Sequence, residues 1–289
     1  MQKRTILIQL DTDIHPSVFD RVVAVDSGVD EVFSYGGVTP EKLQALIHGA
    51  IFTRGPLDLC RTAIFIGGSD VSKAEELLVE AQKQMLPAFG LQVSLMLDAN
   101  GCNTTASAAV RAVEKHISGP GHRALVLGGT GPVGQRAALL LAQGGFDVFL
   151  ASRSLERSQA AANAVGKLTQ NPAKIQGIAP HSPAQLRKSL QGVQVVIAAG
   201  AAGICLLPKV IWQACQELRI LVDLNAVPPH GMEGVTVMDK GTEREGKICY
   251  GALGVGGLKM KLHRKAIQTL FESNKAILDP ISIHSIDVG

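Results

Sequence analysis

Charge is scarce in this chain, and so are aromatic rings. Of 289 residues 18% are charged, and 28 Lys and Arg against 25 Asp and Glu leave a formal charge of +3. So mild an excess argues against a nucleic-acid surface and leaves the basic residues to be judged locally. One Trp and two Tyr offer little material for stacking bases. The five cysteines, Cys60, Cys102, Cys205, Cys215 and Cys249, are scattered and never spaced C-x-x-C. That pattern fits free thiols in a reducing compartment better than disulfides or a zinc site. Long apolar runs are missing too. The opening MQKRTILIQLDTD meets Asp11 and Asp13 before a signal peptide could form. The longest apolar stretch, Val193 to Pro208, holds a Gln and two Gly and falls short of a membrane span. The expectation is a soluble cytoplasmic protein with neither a membrane nor a nucleic-acid partner.

What is present is apolar material, 46% of the chain, and length enough for one or two domains with a real core. Short β-rich runs at 5–10, 31–35, 62–67 and 92–97 alternate with helical patterns at about 17–26, 39–50, 70–85 and 103–116. Alternation at this spacing means βαβ units and a mostly parallel sheet. The turn residues SGPGHR (118–123) suggest a boundary, after which strands at 124–128, 147–152, 195–200 and 220–225 begin a second series, with helices at 132–143 and 154–166. A last helix, about 256–273, lies beyond these strands and is expected to pack back on the first domain. The fold class is therefore α/β. Two α/β domains are expected, residues 1–118 and 119–255, followed by a helix and tail at 256–289.

The most informative stretch is ALVLGGTGPVGQRAALLLA. An apolar strand runs into Gly129, Thr130, Gly131, Pro132, Val133 and Gly134, which open a helix. Gly129 permits the tight turn, Gly131 the approach of a pyrophosphate, and Gly134 close helix–strand packing. The helix N-terminus then offers unpaired N–H groups to phosphate. This makes the second domain a Rossmann-type dinucleotide-binding domain. Its next strand ends in Ser152 and Arg153, with Arg157 one turn on, where an NAD site usually carries Asp or Glu for the ribose hydroxyl. A hydroxyl and guanidinium suit a 2′-phosphate. NADP is favoured as cofactor, with NAD possible.

Two further segments sit where strands of the first domain end, the usual place for ligands in open α/β sheets. DTDIHPSVFD (11–20) offers Asp11, Asp13, His15 and Asp20, but Pro16 reads as a helix start with acidic neighbours, so no metal is expected. Phe19 stands just past a strand end in a chain with few aromatics. In LDANGCNTTASAA (97–109), Asn100-Gly101 is a turn, and Asn103, Thr104 or Thr105 is expected to cap the next helix.

Taken together, QLDTDIHPSVFD, YGGVTP, FTRG, AIFIGGSD, MLDANGCNTTA, GGTGPVG and GALGVGGLKMKLHR with LFES resemble the bacterial methylene-tetrahydromethanopterin dehydrogenases of one-carbon metabolism. These stretches are spread in order over nearly the whole chain. The resemblance implies a two-domain subunit with an interdomain cleft completed by a neighbour, a homotrimer, and a role in formaldehyde oxidation. It also implies hydride transfer from N5,N10-methylene-tetrahydromethanopterin, with methylene-tetrahydrofolate possible. The family's active-site residues carry over onto Phe19, Thr105, Lys259 and His263. SRS at 152–154 stands where some members have GRK, which keeps the NADP-to-NAD preference open. Cys102 replaces a Ser of a relative and is given no role.

GALGVGGLKMKLHR places four glycines at 251–257 ahead of Lys259, Lys261, His263, Arg264 and Lys265. The glycine spacing is wrong for a second phosphate loop, and no apolar strand is expected to lead into it. On a helix Lys259 and His263 share a face that continues to Ile267 and Leu270, while Lys261 points nearly opposite. Lys259 is expected to orient the pterin, His263 to fix that lysine or a neighbouring substrate group, Phe19 to pack on a substrate ring, and Thr105 to hydrogen-bond it. Two rivals remain open from sequence. One is an NADP-dependent reductase of a small hydroxy acid in the style of shikimate dehydrogenase; the other is an NADP-sensing regulator without turnover.

Overall fold

A computed structural model describes residues 3–169 and 175–288. The chain divides into two compact units, Met1–Thr104 with Met260–Gly289 and Thr105–Lys259. The divisions fall inside helices, not at the turn residues 118–123 or at 255.

The first unit opens with β1 (Ile6–Asp11), α1 (Val18–Asp26), β2 (Glu31–Tyr35), α2 (Pro40–Phe52), β3 (Thr62–Gly67), α3 (Val71–Lys83) and β4 (Ser94–Leu97). All six residues of β3, TAIFIG, are buried, as a parallel strand covered on both faces requires. Ser17 starts α1 by accepting the N–H of Asp20, and Asp70 starts α3 by accepting that of Lys73. The helix α4 (Cys102–Glu114) follows and carries the first division of the chain.

The second unit contains β5 (Arg123–Leu127), α5 (Pro132–Gln143), β6 (Asp147–Ala151), α6 (Leu155–Leu168), β7 (Ile175–Ile178), α7 (Pro183–Ser189) and β8 (Val195–Ala198). It continues with α8 (Lys209–Trp212), β9 (Ile220–Asp223), β10 (Lys240–Arg244), β11 (Lys247–Tyr250) and α9 (Ala252–Thr269). The chain then returns to the first unit with β12 (Ile277–Leu278) and α10 (Pro280–Ser285).

The first sheet runs β12-β4-β3-β1-β2 with every pair parallel. Its strand order reverses between β1 and β3, so their carboxyl ends form a topological switch point. The second sheet runs β10-β11-β9-β8-β5-β6-β7, parallel except for the β10–β11 hairpin, and reverses at β5. Leu262, Ala266 and Ile267 of α9, with Leu270 just after it, are buried with Leu7, Val23, Phe65 and Met96, which places the end of that helix in the core of the first unit.

Three expectations need correction. The last helix spans 252–269 rather than 256–273, and a strand, β11, does lead into it. The glycines there, which the spacing alone left without a role, permit close packing: a Cβ on Gly251 or Gly254 would strike the carbonyl oxygen of Thr236 or Asp239. The cap of α4 comes from neither Asn103, Thr104 nor Thr105 but from Asp98, four residues before the helix starts. The short elements β7, α7, β12, α10 and the β10–β11 hairpin were not anticipated. KGTER of β10 is almost wholly exposed, so it has no apolar alternation to read.

Candidate functional site

In the second unit the site is made of backbone. Pro132 occupies the first position of α5, where its missing N–H costs nothing. A Cβ on Gly134 would lie 2.8 Å from Gly129 Cα, and one on Gly129 would crowd Leu150, so both glycines are required for the turn to pack under the helix. Gly131 differs: nothing in the protein lies within 3.7 Å of its Cβ position, which leaves that face open to a ligand. The first-turn N–H groups of Val133 and Gly134 have no intrahelical acceptor. Gln135 Nε2 donates to Thr130 O at 2.8 Å and steadies the loop. This turn fits a pyrophosphate.

At the end of β6, Ser152 N donates to Ile178 O. Ser154 then caps α6 by accepting Arg157 N, and the side chains of Arg153 and Arg157 are exposed. The first carboxylate after this strand is Glu156, in the first turn of α6. Two groups on this edge were missed. Gly128 has φ 68° and packs against Gly200 beyond β8. Asp223, at the end of β9, accepts Asn225 N at 3.0 Å and Met232 N at 2.7 Å and so braces the loop between them. Burial raises the Asp223 carboxyl above the ordinary range, against the pull of those two N–H groups.

In the first unit the switch point is made of side chains. Asp11 Oδ1 accepts Asp13 N at 2.9 Å and its Oδ2 accepts Ser17 N at 3.0 Å, while Asp13 accepts both Ser69 N and Ser69 Oγ at 2.9 Å. These carboxylates are spent on loop backbone. Among the described residues no three His, Cys, Asp or Glu side chains gather as metal ligands. Gln9, buried on β1, donates to Ser17 O and accepts from Ser34 Oγ, so the start of α1 is tied to two strands.

Beyond β4, Asp98 is fully buried. Its Oδ1 accepts the N–H groups of Asn103 at 2.9 Å and Thr104 at 3.0 Å, and its Oδ2 accepts Thr104 Oγ1 at 2.6 Å. Asn100 at φ 52° makes the turn between carboxylate and helix possible. Asn103 Nδ2 donates to Leu97 O at 2.5 Å. Thr105, next in the chain, is half-buried.

Phe19 and His263 are brought together, with ring centroids 6.2 Å apart. Phe19 stays 49% exposed, whereas His263 is fully buried, stacked on Phe65 at 5.8 Å and 16° between planes. Lys259, one turn before His263 on α9, is half-buried, while Lys261 and Arg264 are exposed. The helical phase expected from the sequence is the one observed. All five cysteines are free thiols, and burial pushes that of Cys249 up to about 11. Among the described residues no helix is long and apolar enough to cross a membrane.

Residues 18–100 match the family model for the N-terminal domain of methylene-tetrahydromethanopterin dehydrogenase, a span that includes Phe19 and Asp98. The "Bifunctional protein MdtA" of Methylorubrum extorquens is 43% identical over 285 residues, 98% of this chain and 98% of its own. The NAD(P)-dependent methylenetetrahydromethanopterin dehydrogenase of the same organism is 28% identical over 284 residues, 95% of this chain and 94% of its own. Among solved structures, the shikimate 5-dehydrogenase of Mycobacterium fortuitum superposes with a TM-score of 0.54 at 13% identity, covering 98% of this chain and 97% of that one. That of Listeria monocytogenes gives 0.50 at 14% identity, covering 93% and 96%. At such identities the likeness is one of fold, and it is a Rossmann-type dehydrogenase fold. The extended sequence identity carries more, and by it the chain belongs to the methylene-tetrahydromethanopterin dehydrogenase family.

Proposed function

We propose that this protein is an NAD(P)-dependent dehydrogenase that removes a hydride from N5,N10-methylene-tetrahydromethanopterin and yields the methenyl pterin. The observation that carries the reading is 43% identity along nearly the whole chain to a family member, joined to the family's N-terminal model over residues 18–100. A bound nicotinamide supplies the hydride acceptor. The glycine turn 129–134 and the first turn of α5 hold its pyrophosphate.

The one-carbon bridge of the substrate lies between two nitrogens whose lone pairs expel the hydride. No proton moves, so no general acid or base is required. The protein has to hold the two reacting carbons at roughly 3–3.5 Å. In this reading Phe19 packs on a pterin ring, Thr105 hydrogen-bonds it, and Lys259 orients it. Half-exposure suits Phe19 to the first task, and half-burial suits Lys259 to the last. In the same reading His263, which is fully buried, supports the site without touching the substrate. A ketone reductase would instead need a proton donor beside the carbonyl.

The finer points of the proposal are a preference for NADP, read by Ser152, Arg153 and Arg157, and acceptance of methylene-tetrahydrofolate as a second substrate. We also propose a cytoplasmic role in formaldehyde oxidation and a homotrimeric assembly. Val18, Val22 and Val25 on α1, with Phe33 and Tyr35 on the edge strand β2, are exposed apolar side chains that support self-association. Initial rates with each pterin against each nicotinamide cofactor test the activity. The expected result is the fastest NADPH formation with methylene-tetrahydromethanopterin, and no reduction of either cofactor by either pterin overturns the reading. Sedimentation tests the trimer.

A further inference from the structure

Two carboxylates from different elements face the two ring nitrogens of the buried His263. Asp20 Oδ1, in the first turn of α1, lies 4.0 Å from Nε2. Asp98 Oδ2, after β4, lies 4.0 Å from Nδ1. Phe65 of β3 stacks on the ring and Phe19 of α1 tilts against it. On His263's own helix the charged neighbours are Lys259, one turn back and half-buried, and Arg264, which is exposed. The 4.0 Å spacing exceeds a direct hydrogen bond, so the pairing is one of charge.

Each carboxylate has an ordinary duty. Asp20 favours the dipole of α1, and Asp98 caps α4. Neither duty calls for an imidazole between them, and a dipole acid needs no burial, yet the Asp20 side chain is only 11% exposed. A neutral ring carries one N–H. Whichever tautomer it takes, a nitrogen lone pair then faces a carboxylate, acceptor against acceptor. The imidazolium offers a donor on each side, and its charge is offset by two anions rather than stranded in the core. The three hydrogen bonds that Asp98 accepts favour its ionised form, and its full burial opposes it unless a cation lies beside it.

We infer that His263 is held as an imidazolium between Asp20 and Asp98, and that these two aspartates are positioning residues of the proposed site, acting through the ring. The bridge joins α1, which carries Phe19, to the loop that caps α4 and to α9, which carries Lys259. If the reading of the reaction above is correct, on which this consequence rests, the bridge holds Phe19 in place against the pterin ring.

The test is made first on the ligand-free full chain labelled with 15N-histidine, by long-range 1H–15N correlation, which separates imidazolium from both neutral tautomers. His263→Gln identifies the signal among the eight histidines. The expected result is a doubly protonated His263 at pH 7.5, where a histidine of ordinary pKa, about 6.5, is neutral. Asp20→Asn should lower its midpoint by about one unit, and Asp20→Glu should restore most of it. A single neutral tautomer at pH 7.5, or a midpoint unmoved by Asp20→Asn, overturns the inference. Asp98 also caps a helix, so Asp20 carries the test. In turnover, Asp20→Asn should reduce kcat about tenfold with the KM for NADP unchanged, and the loss should be shallower for Asp20→Glu. The spectrum does not depend on the substrate: an imidazolium without pterin turnover defeats the proposed function alone, and turnover with a neutral ring defeats this inference alone.

Discussion

Both units are doubly wound parallel sheets that place polar groups at a switch point, yet they build that edge from different material. In the second unit it is backbone: Gly128, Gly129, Gly131, Gly134 and the first turn of α5. In the first it is buried side chains: Gln9, Asp11, Asp98 and His263. On the proposed reading, the difference follows from the ligand each edge would take. A phosphate wants several N–H donors at close range, which an ordered turn supplies without freezing any side chain. A pterin has two flat faces and a polar rim, so it needs directional side chains, and those need buried partners to hold them. A backbone site tolerates surface change and fails when a Cβ is added. A side-chain site fails when a carboxylate is removed.

The largest expected effect breaks the first unit. Asp98→Ala leaves the buried N–H groups of Asn103 and Thr104 and the Thr104 hydroxyl without their acceptor. The cost should be about 3 kcal/mol or more in urea unfolding, at roughly 1 kcal/mol or more per orphaned donor. Asp98→Asn keeps Oδ1 for the two backbone donors and should lose less than half as much. Equal losses from both would mean that the capping bonds are not what Asp98 contributes.

Next comes Lys259→Met, which should leave NADP affinity near normal if the phosphates rest on the glycine turn as proposed. Turnover should fall on the order of a hundredfold if misplacing the reacting carbon by about 1 Å is the result. Residual hydride transfer should persist, since the nitrogen lone pairs supply the drive. Complete loss of chemistry together with a vanished pH dependence would make Lys259 a proton donor and revive the ketone-reductase reading. Somewhat smaller is Arg153→Ala. It should weaken NADP by roughly 1.5–3 kcal/mol, the range for charge-assisted bonds, and scarcely touch NAD. Equal losses with both cofactors would show that Arg153 does not read the 2′-phosphate.

The same contrast explains what the sequence disclosed. The nucleotide edge was legible because a backbone site is contiguous: strand, Gly129, Gly131, Gly134 and helix come in one run of the chain. The long elements were legible for a similar reason, since TAIFIG and AALLLA are buried on most sides and read apolar. The proposed side-chain residues were legible only as loose ends. Phe19, Thr105, Lys259 and His263 come from a family resemblance and a helical phase, Asp20 reads as a dipole acid, and nothing local singles out Asp98 within LDANGCNTTASAA. Asp20, Asp98 and His263 stand in three distant stretches, and only tertiary packing sets them around one ring. Asp98 also lies four residues ahead of the helix it caps, with Asn100 in the left-handed region between them, so no local capping pattern points to it. The exposed edge strand β10 lacked any apolar signature, and β12, Ile277–Leu278, is too short to show a period.

The smallest expected effect is the sharpest check on the helical phase. Lys261 lies two residues from both Lys259 and His263, so on α9 it projects from nearly the opposite side. It is exposed, and with Arg264, Lys265, Gln268 and Asp287 it lines an open groove on the surface of the first unit. Lys261→Ala therefore removes a solvated charge with no buried partner to strand. Stability should change by less than about 0.5 kcal/mol, and turnover should stay within about twofold, as for surface substitutions generally. The comparison with Lys259→Met then holds charge type, helix and near position constant and varies only the face. If the inner face does the work, the two variants should differ by well over tenfold in kcat. Should Lys261→Ala prove the inactive one while Lys259→Met turns over normally, the phase of α9 and every role assigned along it would have to be reversed.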